Sequence, residues 1–133
     1  MRNPLNALAL AFLIQSLAVG GSLAAAPLAA VATNLGGVTV KATPGALSGA
    51  IWEFQIVFDT HSQELRDDVA KSASLVAGGE VSAPLEWRGD PPGGHHRKGV
   101  LRFTAPAARP AAIELRLARP GETEPRVFRW RIE

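Results

Sequence analysis

Three histidines carry most of the chemistry that this sequence could perform. His61 stands in Asp59-Thr60-His61-Ser62, and His95 and His96 stand side by side after Gly93-Gly94. Imidazole nitrogens and a carboxylate form the donor set preferred by zinc and copper(II). His61, His95 and His96 with Asp59, or with Asp90, are therefore a candidate metal site. For that site to exist, the loop after a strand ending at Phe58 must meet the loop before a strand near Val100. Adjacent histidines project to opposite sides of an extended chain, so at most one of the pair can face His61. The spacing matches no established metal motif, and the same residues also read as loop formers. In that reading His61 and Ser62 bond to nearby backbone, and Gly93-Gly94 supply positive φ. A third reading is an anion site made by His95, His96, Arg97 and the exposed amides of the glycine loop.

Catalytic groupings are weaker. Asp59, His61 and Ser62 lie on one extended segment, where a Ser-His-Asp triad rarely forms. Residues 93–99 lack the spacing of a phosphate-binding loop and open a strand rather than a helix. Asp67 and Asp68 have no supporting acid at a glycosidase-like spacing. A domain of about a hundred residues, filled by its own core, leaves little volume for a deep substrate pocket. The chain reads as non-catalytic.

Strands must position all of these groups. Trp52, Phe54, Ile56 and Phe58 alternate with Glu53, Gln55 and Val57, the rhythm of a half-buried strand. Leu101 and Phe103 flank Arg102; Ile113, Leu115 and Leu117 flank Glu114 and Arg116; Phe128, Trp130 and Ile132 flank Arg129 and Arg131. Residues 38–42 form an earlier strand and residues 85–87 a short one, with Pro/Gly breakers between the segments. Residues 61–76 are ambiguous, because Leu65, Val69, Ala73 and Val76 fall at helical spacing while Ala73 and Leu75 alternate. We expect a turn near Asp67 and Asp68 followed by a strand, with a helical turn over 63–67 as the alternative. About seven strands in two sheets make an all-β, immunoglobulin-like antiparallel sandwich that lacks the Cys-Trp-Cys signature.

The 133 residues allow one domain. Arg2, an apolar run over residues 5–19 and the small residues after it resemble a signal peptide. Residues 1–32 are read as signal peptide and cleavage zone, and 33–133 as the domain. Cleavage is expected after Ala24 or Ala32, where Ser22-Leu23-Ala24 and Ala30-Val31-Ala32 offer small residues; Pro27 disfavours a cut after Ala26. An uncleaved membrane anchor is the alternative. The chain contains no cysteine, which excludes disulfides, thiolate metal sites and a lipid-modified N-terminal cysteine. A periplasmic or extracellular location follows, with no transmembrane segment in the mature chain.

Charge is nearly balanced at a formal +2, but arginines dominate after Gly94. Arg102, Arg116, Arg129 and Arg131 all point outward from their strands. Because strands adjacent in sequence usually pair, they are expected to form a cationic ladder on one sheet face. Such a face suits anionic lipid, an acidic polysaccharide or an envelope protein. The competing reading pairs these arginines with Glu53, Glu114 and other carboxylates. No aromatic stacking series accompanies them, so nucleic acid is not expected as a partner. Trp52 and Trp130 fall in register with the core. Trp87, between Glu86 and Arg88, either packs beneath the 89–94 loop or presents its ring to a sugar or peptide.

The runs Phe58-Asp59-Thr60-His61-Ser62, Leu85-Glu86-Trp87-Arg88-Gly89, Pro92-Gly93-Gly94-His95-His96-Arg97 and Phe128-Arg129-Trp130 resemble a family of small exported bacterial and archaeal proteins, uncharacterised in function. The resemblance covers most of the mature chain and implies an exported β-domain without implying an activity. Some members resemble lipoproteins with an N-terminal cysteine, which this chain lacks. Together these readings describe an exported, non-catalytic binding or accessory module of the periplasm or cell envelope. A zinc- or copper-binding protein is the alternative.

Overall fold

A computed structural model describes residues 27–133. It contains nine strands and one short helical turn: β1 (Val31–Leu35), β2 (Val38–Pro44), β3 (Ile51–Thr60), α1 (Val69–Ser72), β4 (Ala73–Ala77), β5 (Glu80–Ser82), β6 (Glu86–Gly89), β7 (His96–Thr104), β8 (Ala112–Leu117) and β9 (Arg126–Arg131). One sheet has the order β1-β2-β3-β7-β6 and the other β5-β4-β8-β9, with every pairing antiparallel. In immunoglobulin lettering, β2, β3, β7 and β6 are strands A, B, E and D, and β9, β8, β4 and β5 are G, F, C and C′. The fold is the expected immunoglobulin-like sandwich, with β1 added at the edge beside A.

Alternation of side chains decides which face is buried. Trp52, Phe54, Ile56 and Phe58 of β3 and Leu101 and Phe103 of β7 meet Leu75 of β4, Ile113, Leu115 and Leu117 of β8, and Phe128 and Trp130 of β9 in one core. Burying each large apolar side chain stabilises by about 1.5–3 kcal/mol. Phe54 links the layers, lying 5.7 Å from Phe103 in its own sheet and 5.7 Å from Trp130 in the other. The core-facing positions Gly89 and Gly99 are opposite each other across β6 and β7. A Cβ on Gly99 would come within 2.6 Å of the Gly89 Cα and of the Trp87 ring, so two glycines are needed for that ring to lie across the strands.

Two details depart from the expected layout and one ambiguity is resolved. There are nine strands rather than about seven, the additions being β1 and the three-residue β5. Residues 61–76 follow the expected turn near Asp67 and Asp68 and not the alternative over 63–67: the Asp68 carboxylate accepts from the Lys71 amide and caps α1, after which β4 begins. Finally, Val31 and Ala32, placed by the sequence reading in the cleavage zone, pair with Ala42 and Lys41 as the first rungs of β1.

The two ends of the sandwich are built differently. The β1–β2, β3–β4, β6–β7 and β8–β9 connections gather at one end. Pro27, Leu28, the 44–48 loop, Arg109 and residues 131–133 gather at the other, around a half-open cleft of about 700 Å³.

Candidate functional site

The gathered connections are held by buried charge. Counting back by twos from Phe103 and Leu101, Arg97 falls on the core face of β7, opposite Phe58. It is 1% exposed. Its guanidinium lies 5.8 Å from the centre of the Phe58 ring and 5.9 Å from that of Trp87. It donates to the carbonyls of Asp67 at 2.8 Å and Asp90 at 3.1 Å, joining the β3–β4 and β6–β7 connections. Burial pulls the Arg97 pKa below the ordinary guanidinium value, against the opposing pull of Asp67, Asp90 and Asp68.

A second arginine joins the same loop to the β8–β9 connection. Arg119 makes a two-pronged contact with the buried Asp67 carboxylate, at 2.9 and 3.1 Å. It also donates to Glu122 at 3.0 Å, and Glu122 receives Arg126 at 2.8 Å through both oxygens. Burial is the largest single influence on Arg119 and opposes its charge, but the hydrogen bonds and charges of Asp67 and Glu122 together outweigh it, and its pKa stands above the ordinary value. The hydrogen bond from Arg126 holds the Glu122 carboxyl below the usual range, desolvation working against it and Arg119 adding to it. Arg126 then donates to the carbonyls of Val38 at 2.8 Å, Leu35 at 2.9 Å and Thr33 at 3.2 Å, fixing the β1–β2 turn.

Backbone bonds complete the closure. The Leu65 amide donates to Gly94 O at 2.9 Å, and the Gly93 amide donates to Leu65 O at 2.6 Å. Gly93 and Gly94 have φ of +121° and +72°, conformations that a side chain would strain. The Thr60 hydroxyl donates to Gly37 O at 2.9 Å, and the Gln63 amide side chain to Gly36 O at 3.1 Å. Above this base His61, Ser62, Gln63, Glu64, Arg66, Pro91, Pro92, His95, Thr123 and Glu124 are exposed.

The residues singled out from sequence are distributed as follows. Asp59 and His96 are cross-strand partners on the outer face of the five-stranded sheet, and their side chains are in contact. His61 and His95 are exposed in the two loops, so both lie at the expected end. Among the described residues, however, no three His, Cys, Asp or Glu side chains come together as a metal site, so the set His61, His95, His96 and Asp59 does not assemble. The reason is register: His96 already belongs to β7 and faces outward with Asp59, while the chain after Thr60 turns toward Gly36.

Arg97 cannot serve an exposed anion site, because its alternation phase turns it into the core. The expected arginine ladder is also divided. Arg102 lies on the five-stranded sheet between Glu53 at 3.0 Å and Glu86 at 2.6 Å. Arg116, Arg129 and Arg131 lie on the four-stranded sheet, where Glu114 holds both Arg116 and Arg129. Sequence-adjacent β7 and β8 belong to different sheets, which is why pairing by adjacency fails here. Trp87 packs beneath the loop, its indole donating to Asp90 O at 3.1 Å with its ring edge-on to Phe58.

Asp67, Arg119, Glu122 and Arg126 escaped the sequence reading. Arg126 was accessible by counting back from Trp130 and Phe128, and Glu122 sits four residues before it. No local pattern marks Asp67 as buried. In comparisons with known proteins, no family model, no curated protein and no solved structure matches this chain.

Proposed function

We propose that this chain is an exported, non-catalytic recognition module of the periplasm or cell envelope, which binds its partner through the loop end opposite Pro27 and Glu133. One observation carries the reading: four connections at that end are fixed to one another by Arg97, Asp67, Arg119, Glu122 and Arg126, all buried or nearly so. Burying ions costs several kcal/mol each before their pairing is counted, and well-packed apolar residues in their place often serve stability as well. Fixed loops bring a binding advantage, since ordering each flexible side chain on association costs about 0.5–1.5 kcal/mol. The exposed groups are mixed in sign, with His61, Glu64, Arg66, His95 and Glu124 together. That composition suits a polar protein surface or polysaccharide better than an apolar ligand.

The test is site-specific photo-crosslinking in cells that export the protein. A crosslinker at Gln63 or His95 should yield one discrete adduct, and the same group at Val127 on the four-stranded sheet should yield none. Equal labelling from both positions would remove the loop end from consideration. Zinc or copper binding keeps a smaller basis, the paired Asp59 and His96. It predicts calorimetric binding of either metal that His96→Ala abolishes.

A further inference from the structure

We infer that the export leader is removed between Ala24 and Ala25, and not after Ala32. The inference rests on the export reading above and adds the site. Sequence alone offers both positions, because a leader peptidase requires small residues one and three places before the cut, and both Ser22-Leu23-Ala24 and Ala30-Val31-Ala32 provide them.

The fold separates the two. Leu28 and Val31 pack against the core. The Ala29 carbonyl accepts the Trp130 indole N–H at 2.7 Å, and Trp130 is 6% exposed. Val31 and Ala32 form the first two rungs of β1 against Ala42 and Lys41. A cut after Ala32 would discard all of this. It would leave a nearly buried indole donor without its acceptor and expose the core wall that Leu28 and Val31 cover. A cut after Ala26 would place Pro27 next to the scissile bond, whereas a cut after Ala24 keeps each of these contacts and leaves Ala25 as the new N-terminus. The reaction is hydrolysis of the Ala24–Ala25 amide: one water is consumed, and a carboxylate on Ala24 and a free amine on Ala25 are formed.

The experiment is to express the full chain in a secreting bacterial host and to measure the intact mass and N-terminal sequence of the exported product. The expected first residue is Ala25. A product beginning at Thr33 would overturn the inference while leaving export intact; a retained chain still beginning at Met1 would overturn the export reading and the inference with it. Two variants sharpen the result. Ala24→Arg should accumulate the unprocessed precursor. Ala32→Arg should be processed as the parent is, because Ala32 is exposed on β1 and can carry a long side chain. The reverse pattern would overturn the assignment.

Discussion

At one end of the sandwich Asp67, Arg119, Glu122 and Arg126 form a chain of ion pairs with side chains no more than 12% exposed. At the other, Pro27, Leu28, Leu47 and Ile132 line a cleft that Arg131 and Glu133 also border and that Arg109 spans, donating to the carbonyls of Leu47 at 2.6 Å and Ile132 at 3.2 Å. The same β-strands end at both places, so the strands do not dictate the difference. Connections that only turn the chain around are held by apolar contacts and a few hydrogen bonds. Connections held by a continuous buried ionic lattice have a defined shape, because each charge fixes the position of the next. The comparison assigns shape to the loop end and simple closure to the end that carries both described termini.

Removing one partner from the lattice should have the largest effect. Asp67→Ala leaves Arg119 buried without its two-pronged partner and should destabilise by about 3–5 kcal/mol in urea unfolding. A loss below 1 kcal/mol would show that the lattice is dispensable. Gly99→Ala tests the packing beneath the same end, where a Cβ would meet Gly89, Arg88 O and the Trp87 ring. A cost of about 1–3 kcal/mol is expected, with altered tryptophan fluorescence.

Acid should act on the loop end through Glu122. The folded-state pKa of Glu122 is lowered, so its contribution to stability is complete above the ordinary carboxylate value and is lost as pH falls through the lowered one. Glu122→Gln should therefore flatten the acid limb of the stability–pH profile, and an unchanged limb would contradict the sign. At the cleft end Arg109→Ala removes two hydrogen bonds to carbonyls and should cost only about 1 kcal/mol. A cost equal to that of Asp67→Ala would make the two ends energetically equivalent and break the contrast.

Much of the fold was legible because alternation is a local property. The pattern of Trp52, Phe54, Ile56 and Phe58 states both that a strand exists and which side faces the core. β5 is three residues long and shows too little of any period to be seen, and β1 was hidden by its overlap with the small-residue run that ends at Ala32. The loops around His61 and His95 were correctly expected to share an end, but their side chains could not be aimed without the register of β3 on β7. Outward phases were right for Arg102, Arg116, Arg129 and Arg131; their division between sheets depends on where the chain crosses the sandwich, a nonlocal fact. Asp67 was the hardest case, since an acid followed by another acid ordinarily signals solvent, and only Arg119, 52 residues away, makes its burial tolerable.

The reach of Arg126 also has a kinetic consequence. This side chain, at the start of β9, holds the β1–β2 turn through carbonyls 88–93 residues earlier, and the Trp130 indole donates to the Ala29 carbonyl, 101 residues earlier. β1 pairs locally with β2, but its contacts with β9 close only when that distant strand is in place, and loops that long make such closures slow. Urea-refolding kinetics should therefore show the closure of β9 on β1 as a late event, after the local β1–β2 hairpin has formed.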